Sequence, residues 1–165
     1  MTHAPAVVNG IALPAWSRVS ERRLEHIRRV VSLLDSWSDA MSLAPDEAAE
    51  WRDAGAWHDA LRDADEATLR RITGDNERPE GMLHGFAAAI RLLEDGESRQ
   101  GVIDAVQWHT VGFPKWSRAG RALYMADFLE PGRKFMQTDR AFLASLVPER
   151  FDEVPKRFQS SAENR

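Results

Sequence analysis

Apolar residues recur at intervals of three and four along most of this chain, the repeat that lines one face of an α-helix. No segment shows the two-residue alternation of a half-buried strand. From about Ser20 to Trp37, the residues His26, Val30, Leu33, Leu34 and Trp37 share one helical face while Arg22, Arg28, Arg29 and Asp35 lie mostly off it. That helix turns His26 inward. Pro45-Asp46-Glu47 opens a second helix, because proline fits a first turn and acids favour the positive helix end, and it runs to His58-Asp59. The spacing of Asp63 and Glu66 predicts a capping box for a short helix reaching about Ile72. After a loop marked by Gly74-Asp75-Asn76 and Pro79, a helix carries His84, Ala87, Ala88 and Arg91 along one side. The next, about Ser98 to Thr110, places Val102, Val106 and His109 on one stripe and is stopped by Gly112 and Pro114. A helix over about Ser117 to Leu129 spaces Leu123, Asp127 and Glu130 by four and three before Pro131-Gly132, and a last one is predicted around Asp139 to Leu146.

The pattern predicts an all-α fold, one compact bundle of about six to eight helices over 16–147. An aperiodic stretch rich in Pro, Gly and small residues predicts an extended arm over 1–15, and a polar tail is predicted over 148–165. A length of 165 residues suits one domain able to bury roughly two thirds of its unfolded surface. The absence of cysteine excludes disulfides and thiolate metal sites, so any metal must be held by nitrogen and oxygen donors. No apolar stretch approaches the ~18 residues that cross a bilayer, and the amino terminus lacks a basic segment followed by an apolar one. The expectation is a cytoplasmic protein without a membrane partner. A net charge of −4 and a pI near 5.7 give no electrostatic footprint for a nucleic acid polymer. A small anionic substrate held locally by cations and arginines stays open.

Candidate chemistry lies in the histidines. Four of the five fall in an ordered set with aspartates, namely His26, then His58-Asp59, His84, His109 and Asp127, with only His3 left over. Taken singly, a histidine on an apolar helix face reads as a core residue or as a ligand. Here the candidates sit on separate helices, which is the arrangement that aims several donors at one buried point.

The order His26, His58-Asp59, Asp127 resembles the HD superfamily of metal-dependent phosphohydrolases, with His84 and His109 resembling the additional ligands of its dinuclear members. Leu83-His84-Gly85, His109-Thr110-Val111-Gly112 and Ala126-Asp127-Phe128-Leu129-Glu130-Pro131-Gly132-Arg133 resemble the LHG, HTxG and ADxxEPxR segments of the bacterial YqeK-type symmetrical dinucleoside tetraphosphate hydrolases. The resemblance covers about Leu24 to Phe135. It implies an HD-domain helical bundle that cleaves diadenosine tetraphosphate into two ADP molecules, using a hydroxide that bridges two divalent metal ions, usually iron, with manganese as another candidate. It further implies that His26, His58, Asp59 and Asp127 hold one metal, and that Asp59 bridges to a second held by His84 and His109. Imidazole nitrogens and carboxylate oxygens suit such metals, and a carboxylate with two oxygens can serve both.

Where this family carries lysine three positions beyond the Asp, the chain has Arg62, which keeps the charge and adds a planar fork for phosphate. The region after Phe135 also departs from the family. Asp59, Arg62 and Arg133 are the candidate catalytic residues, and Arg62, Lys115, Glu130 and Arg133 the candidate substrate contacts, Glu130 being equally suited to orienting a ligand histidine. Trp108, Phe113 and Trp116 near His109 read as core or as nucleobase platforms, and Trp51 and Trp57 as core. The partner implied is a small nucleotide, with the oligomeric state open between monomer and homodimer. Two other readings share the same ligands: a phosphohydrolase acting on another nucleotide or alarmone, and a metal- or nucleotide-binding regulatory module without turnover.

Overall fold

In the computed structural model, which describes residues 6–8 and 10–154, the chain is built almost wholly of helices. A short hairpin, β1 (Ala6–Val8) and β2 (Ile11–Leu13), is followed by α1 (Glu21–Ala40), α2 (Pro45–Trp57), α3 (Glu66–Thr73), α4 (Glu80–Glu94), α5 (Gln100–Trp108), α6 (Arg118–Leu129) and α7 (Gln137–Leu146). The seven helices match the periodic segments, and the all-α expectation holds. Among the described residues no helix is long and apolar enough to cross a membrane. His3 and the stretch 155–165 lie outside the described residues.

Three apolar clusters make up the core. The largest joins the inner faces of α1, α2, α5 and α6 through Val30, Leu34, Trp37, Trp51, Ala105 and Leu123. A second packs α3, α4 and α5 through Leu69, Leu83, Ala88, Val102 and Val106. The third seats the hairpin on α1, with Ile11 and Leu13 against Leu24, Ile27 and Val31. Small residues set the closest approaches: a Cβ on Gly55 of α2 would lie 2.6 Å from Leu34 Cδ1 of α1, and one on Gly85 of α4 would lie 2.8 Å from the Val106 carbonyl of α5.

Three local expectations need correction. The arm is not wholly without structure, since Ala6 pairs with Leu13 and Val8 with Ile11 around Gly10, whose φ of +83° suits glycine. Strands of three residues are too short for an alternation to register, although Ile11 and Leu13 do point inward while Ala12 points out. The cap of α3 is Asp65 rather than Asp63: its Oδ1 accepts from the Thr68 amide at 2.7 Å, while Asp63 Oδ2 accepts from the Ser20 amide at 2.8 Å and so ties the start of α1 to the chain after His58-Asp59. The segment read as a polar tail adds Phe151, stacked on Trp51 at 5.5 Å, and Val154 to the core.

Arg140 of α7, only 3% exposed, fixes the loop that follows α6. Its guanidinium donates to the carbonyls of Phe128 at 2.7 Å, Glu130 at 2.6 Å, Arg133 at 2.9 Å and Phe135 at 3.2 Å, and it lies 4.9 Å from the centre of the Phe135 ring. Replacing it by alanine would leave these carbonyls without that donor. We expect Arg140→Ala to lower unfolding stability by about 3 kcal/mol, with Arg140→Lys recovering only part of the loss because an ammonium lacks the planar fork. Denaturant titration followed by circular dichroism checks this, and equal stability of Arg140→Ala and the parent would refute the bracing role.

Candidate metal centre

Five helices deliver donors to one buried point. His26 comes from α1, His58 and Asp59 from the turn just after α2, His84 from α4, His109 from the residue capping α5, and Asp127 from α6. The histidines and Asp59 are between 0% and 7% exposed. Asp59 stands in the middle, and its two oxygens divide the histidines. Oδ2 lies 3.6 Å from His26 Nε2 and 3.5 Å from His58 Nε2, whereas Oδ1 lies 3.2 Å from His84 Nε2 and 3.3 Å from His109 Nε2. Asp127 Oδ1 closes the first side at 3.0 Å from His26 Nε2 and 3.8 Å from His58 Nε2.

The outer ring nitrogens determine which tautomers are present. His58 Nδ1 lies 2.7 Å from the Gly55 carbonyl and His109 Nδ1 lies 2.7 Å from the Val106 carbonyl. A carbonyl only accepts, so both Nδ1 atoms carry hydrogen, and a ring that has released its second proton turns an Nε2 lone pair toward the centre. His26 Nδ1 is held at 3.3 Å by Glu130 Oε1, which also receives hydrogen bonds through its second oxygen from Arg29 Nε at 2.5 Å and the Gly132 amide at 2.8 Å. Anchoring the far nitrogen in this way is how ligand histidines are oriented. His84 differs, since its buried Nδ1 has no hydrogen-bond partner among the described residues. Its ring is placed instead by the close α4–α5 approach at Gly85, which brings its Nε2 to 3.0 Å from His109 Nε2.

These features fit divalent cations. The buried Nε2 atoms of His26 and His58 have no hydrogen-bond partner among the described residues although carboxylate oxygens are near, and two ring nitrogens at 3.0 Å require a proton or a cation between them. Two donor groups could hold an ion, His26 with His58 and Asp127, and His58 with Asp59 and His109. They share His58, but the orientation of the Asp59 oxygens assigns His58 to the His26 side and pairs His109 with His84.

Burial alone would lower the His58 pKa, but the carboxylates of Asp59 and Asp127 outweigh it and raise it to about 9. Burial likewise opposes ionisation of Asp59, yet His58, His109 and His84 hold it well below the usual carboxylate range. Asp127 is depressed too, with burial overcome by His26 and His58. The His84 pKa is lowered, chiefly by burial and with a further contribution from His109, which keeps its ring neutral.

A cavity of about 480 Å³ opens over this centre, lined among others by Arg23, Arg62, Tyr124, Phe128, Arg133 and Phe135. Arg62 and Arg133, candidate catalytic and substrate-contacting residues in the sequence, both line this cavity. Arg133 is braced by Asp127, donating from Nε to its carbonyl at 2.9 Å and from Nη2 to Oδ1 at 3.2 Å. Glu130 is 2% exposed and turned onto His26 and Arg29, and Lys115 is exposed and does not line this cavity. Trp108 stacks on Phe113 at 5.3 Å and meets Phe86 edge-on, so this aromatic group packs on itself away from the cavity wall. Sequence reasoning missed Arg23, whose Nη1 lies 3.0 Å from Asp59 Oδ2, and Arg29. Both were detectable in principle, since Arg23, His26 and Arg29 recur every three residues along one side of a helix. Tyr124 and Phe128, four apart and flanking Asp127, carry the same kind of signal.

No family model matches the sequence. A relative from Mycoplasma pneumoniae, named as a probable nicotinate-nucleotide adenylyltransferase/Ap4A hydrolase, is 32% identical over 120 residues, covering 70% of this chain and 34% of that protein. Symmetrical bis(5'-nucleosyl)-tetraphosphatases from Halalkalibacterium halodurans and Bacillus subtilis are 22% and 24% identical, covering 71% and 76% of this chain and 65% and 72% of theirs. The chain therefore spans about a third of the Mycoplasma relative and about two thirds of the Halalkalibacterium one. The crystal structure of a "predicted HD superfamily hydrolase involved in NAD metabolism" from Clostridium acetobutylicum superposes with a TM-score of 0.70 at 24% identity, covering 88% of this chain and 78% of that one. The chain shares the fold of that structure. The resemblance to the symmetrical bis(5'-nucleosyl)-tetraphosphatases, read from the motifs, holds across these comparisons.

Two outcomes follow from this geometry. Gly85→Val would force α4 away from the Val106 carbonyl and separate His84 from His109, so metal analysis should find at least one ion per chain fewer than in the parent, with helix content retained. Unchanged metal content would show that the close approach is dispensable. The second concerns pH. In metal-free protein the raised His58 pKa contributes stability that is fully present below 6.5 and is lost as pH rises through about 9, while the contribution of Asp59 and Asp127 is fully present above the ordinary carboxylate value of 3.8 and is lost only as pH falls below it. Thermal melts with chelator should therefore show stability falling from pH 6.5 to 9. With manganese the protons compete for the same nitrogens, so the stabilisation by metal should grow over that range, and parallel pH profiles with and without metal would contradict it.

Proposed function

We propose that this chain is a metal-dependent phosphohydrolase that cleaves dinucleoside tetraphosphates symmetrically, diadenosine tetraphosphate giving two ADP. The observation that carries this reading is the buried Asp59 carboxylate set between two histidine pairs, one pair on each oxygen. The names of the relatives and the HD fold support a hydrolase of this kind. His26, His58, Asp59 and Asp127 would hold one divalent ion, and Asp59, His84 and His109 a second, iron or manganese suiting the donors. Such ions supply Lewis acidity and make a water acidic enough to attack phosphorus near neutral pH.

The protein's own groups then have definite tasks. Glu130 and the Gly55 and Val106 carbonyls fix three imidazoles with lone pairs inward. Arg62 and Arg133 would bind the phosphoryl oxygens, Arg133 being prepositioned by Asp127, and their charge would stabilise the negative charge that builds up on the bridging oxygen. Water oxygen adds to one central phosphorus, the central P–O bond breaks, and the second ADP leaves with the bridging oxygen. Tyr124, Phe128 and Phe135 are 37% to 43% exposed at the cavity and offer aromatic faces to an adenine.

The test is chromatography of products from diadenosine tetraphosphate, using metal-analysed protein with iron or manganese and with chelator. ADP as sole product, abolished by chelator, is expected. Asp59→Asn should lose bound metal and at least about 100-fold in turnover together, because the shared ligand serves both sides. An Asp59→Asn protein with near-parental metal content and turnover would sink the assignment.

A further inference from the structure

Beside the metal cavity lies a second, larger one of about 960 Å³. Arg23, Arg133 and Phe135 border both. The larger groove is lined by five cations, Arg22, Arg23, Arg29, Arg133 and Lys134, against three acids, Glu25, Asp63 and Glu130. Three of the cations are already engaged, Arg23 with Asp59, Arg29 with Glu130 and Arg133 with Asp127. Two of the acids are engaged as well, Glu130 by Arg29 and Asp63 by the Ser20 amide. Arg22 and Lys134 are exposed, on α1 and on the loop after α6, and form no ion pair among the described residues. Glu25, the remaining acid, is exposed and likewise forms no ion pair among the described residues, so the groove keeps an excess of positive charge, five cations against three acids, on a chain whose net charge is −4.

Size gives this a direction. A cavity of about 480 Å³ is on the scale of one drug-sized ligand, whereas symmetrical cleavage puts a whole nucleoside diphosphate on each side of the scissile bond. We infer that the groove of Arg22, Arg29 and Lys134 holds the phosphates of the second, departing half of a long polyphosphate substrate, while the first half occupies the metal cavity. This rests on the proposed dinucleoside polyphosphate activity and extends it. Arg23 and Arg133, standing between the two spaces, meet the middle of the phosphate chain. The groove makes the length of that chain a determinant of specificity, because only a substrate carrying anionic charge on both sides of the central bond reaches Arg22 and Lys134.

Inorganic tripolyphosphate titrated calorimetrically into metal-free protein probes the groove without turnover, and steady-state kinetics with diadenosine tetraphosphate probe it in the metal-loaded enzyme. The variant R22E/K134E changes two exposed side chains and should leave the thermal melt in place. It should weaken tripolyphosphate binding about 10-fold and raise KM for diadenosine tetraphosphate by a similar factor, whereas R22K/K134R should retain both. Parental tripolyphosphate affinity in R22E/K134E would overturn the groove, whatever the kinetics. Weakened tripolyphosphate binding in R22E/K134E, alongside a parental enzyme that does not cleave diadenosine tetraphosphate, would keep the groove as a polyphosphate site and discard the proposed substrate.

Discussion

The structure depends on one costly group, the Asp59 carboxylate, 4% exposed inside a helical bundle. A buried charge is tolerated only when it is surrounded by partners, and here four imidazoles and an arginine converge on its two oxygens. The five partners come from four stretches of chain, Arg23 and His26 sharing α1, so the bundle must bring α1, α2, α4 and α5 together at one depth. The close approaches at Gly55 and Gly85 serve that requirement. A side chain at Gly85 would hold α5 off α4 where the second histidine pair meets, and Gly55 also supplies the carbonyl that orients His58.

Position along the helices matters as much as depth. His58, Asp59 and His109 lie just past the ends of α2 and α5, where the chain is free to turn a short side chain across the bundle axis, and where Nδ1 of each histidine can reach the carbonyl three residues back. His26, His84 and Asp127 lie within helices and reach the same point from the inner faces of α1, α4 and α6. Terminal and internal side chains together allow five helices to share a centre without crossing it.

Much of this was legible because it is local. Period, caps and breakers locate seven helices, and the order of histidines and aspartates names the six donors. What the pattern could not show is long-range. Glu130 meets His26 across 104 positions and Arg29 across 101, and neither partnership leaves a mark in the spacing of either segment. The pattern predicts the last helix without singling out Arg140, which is buried because its guanidinium serves four backbone carbonyls around the loop after α6. The hairpin and the burial of Phe151 and Val154 were missed for a related reason, since segments of three or four residues carry too little periodicity to separate an inward face from an outward one.

The loop from Phe128 to Phe135 is where these unseen contacts meet. Arg140 holds its carbonyls, Glu130 within it orients His26, Arg133 within it leans on Asp127, and Phe135 at its end borders both cavities. A displacement of this loop would therefore turn the His26 imidazole, move the Arg133 guanidinium and reshape the passage between the two spaces in one event. Because α7 supplies the arginine that fixes it, the helix farthest from the histidines in sequence controls the geometry of the centre. A hydrogen bond also ties α7 to α1, Trp37 donating to the Ala144 carbonyl at 3.0 Å, so the helix that carries His26 and the helix that braces its orienting carboxylate are linked to one another directly.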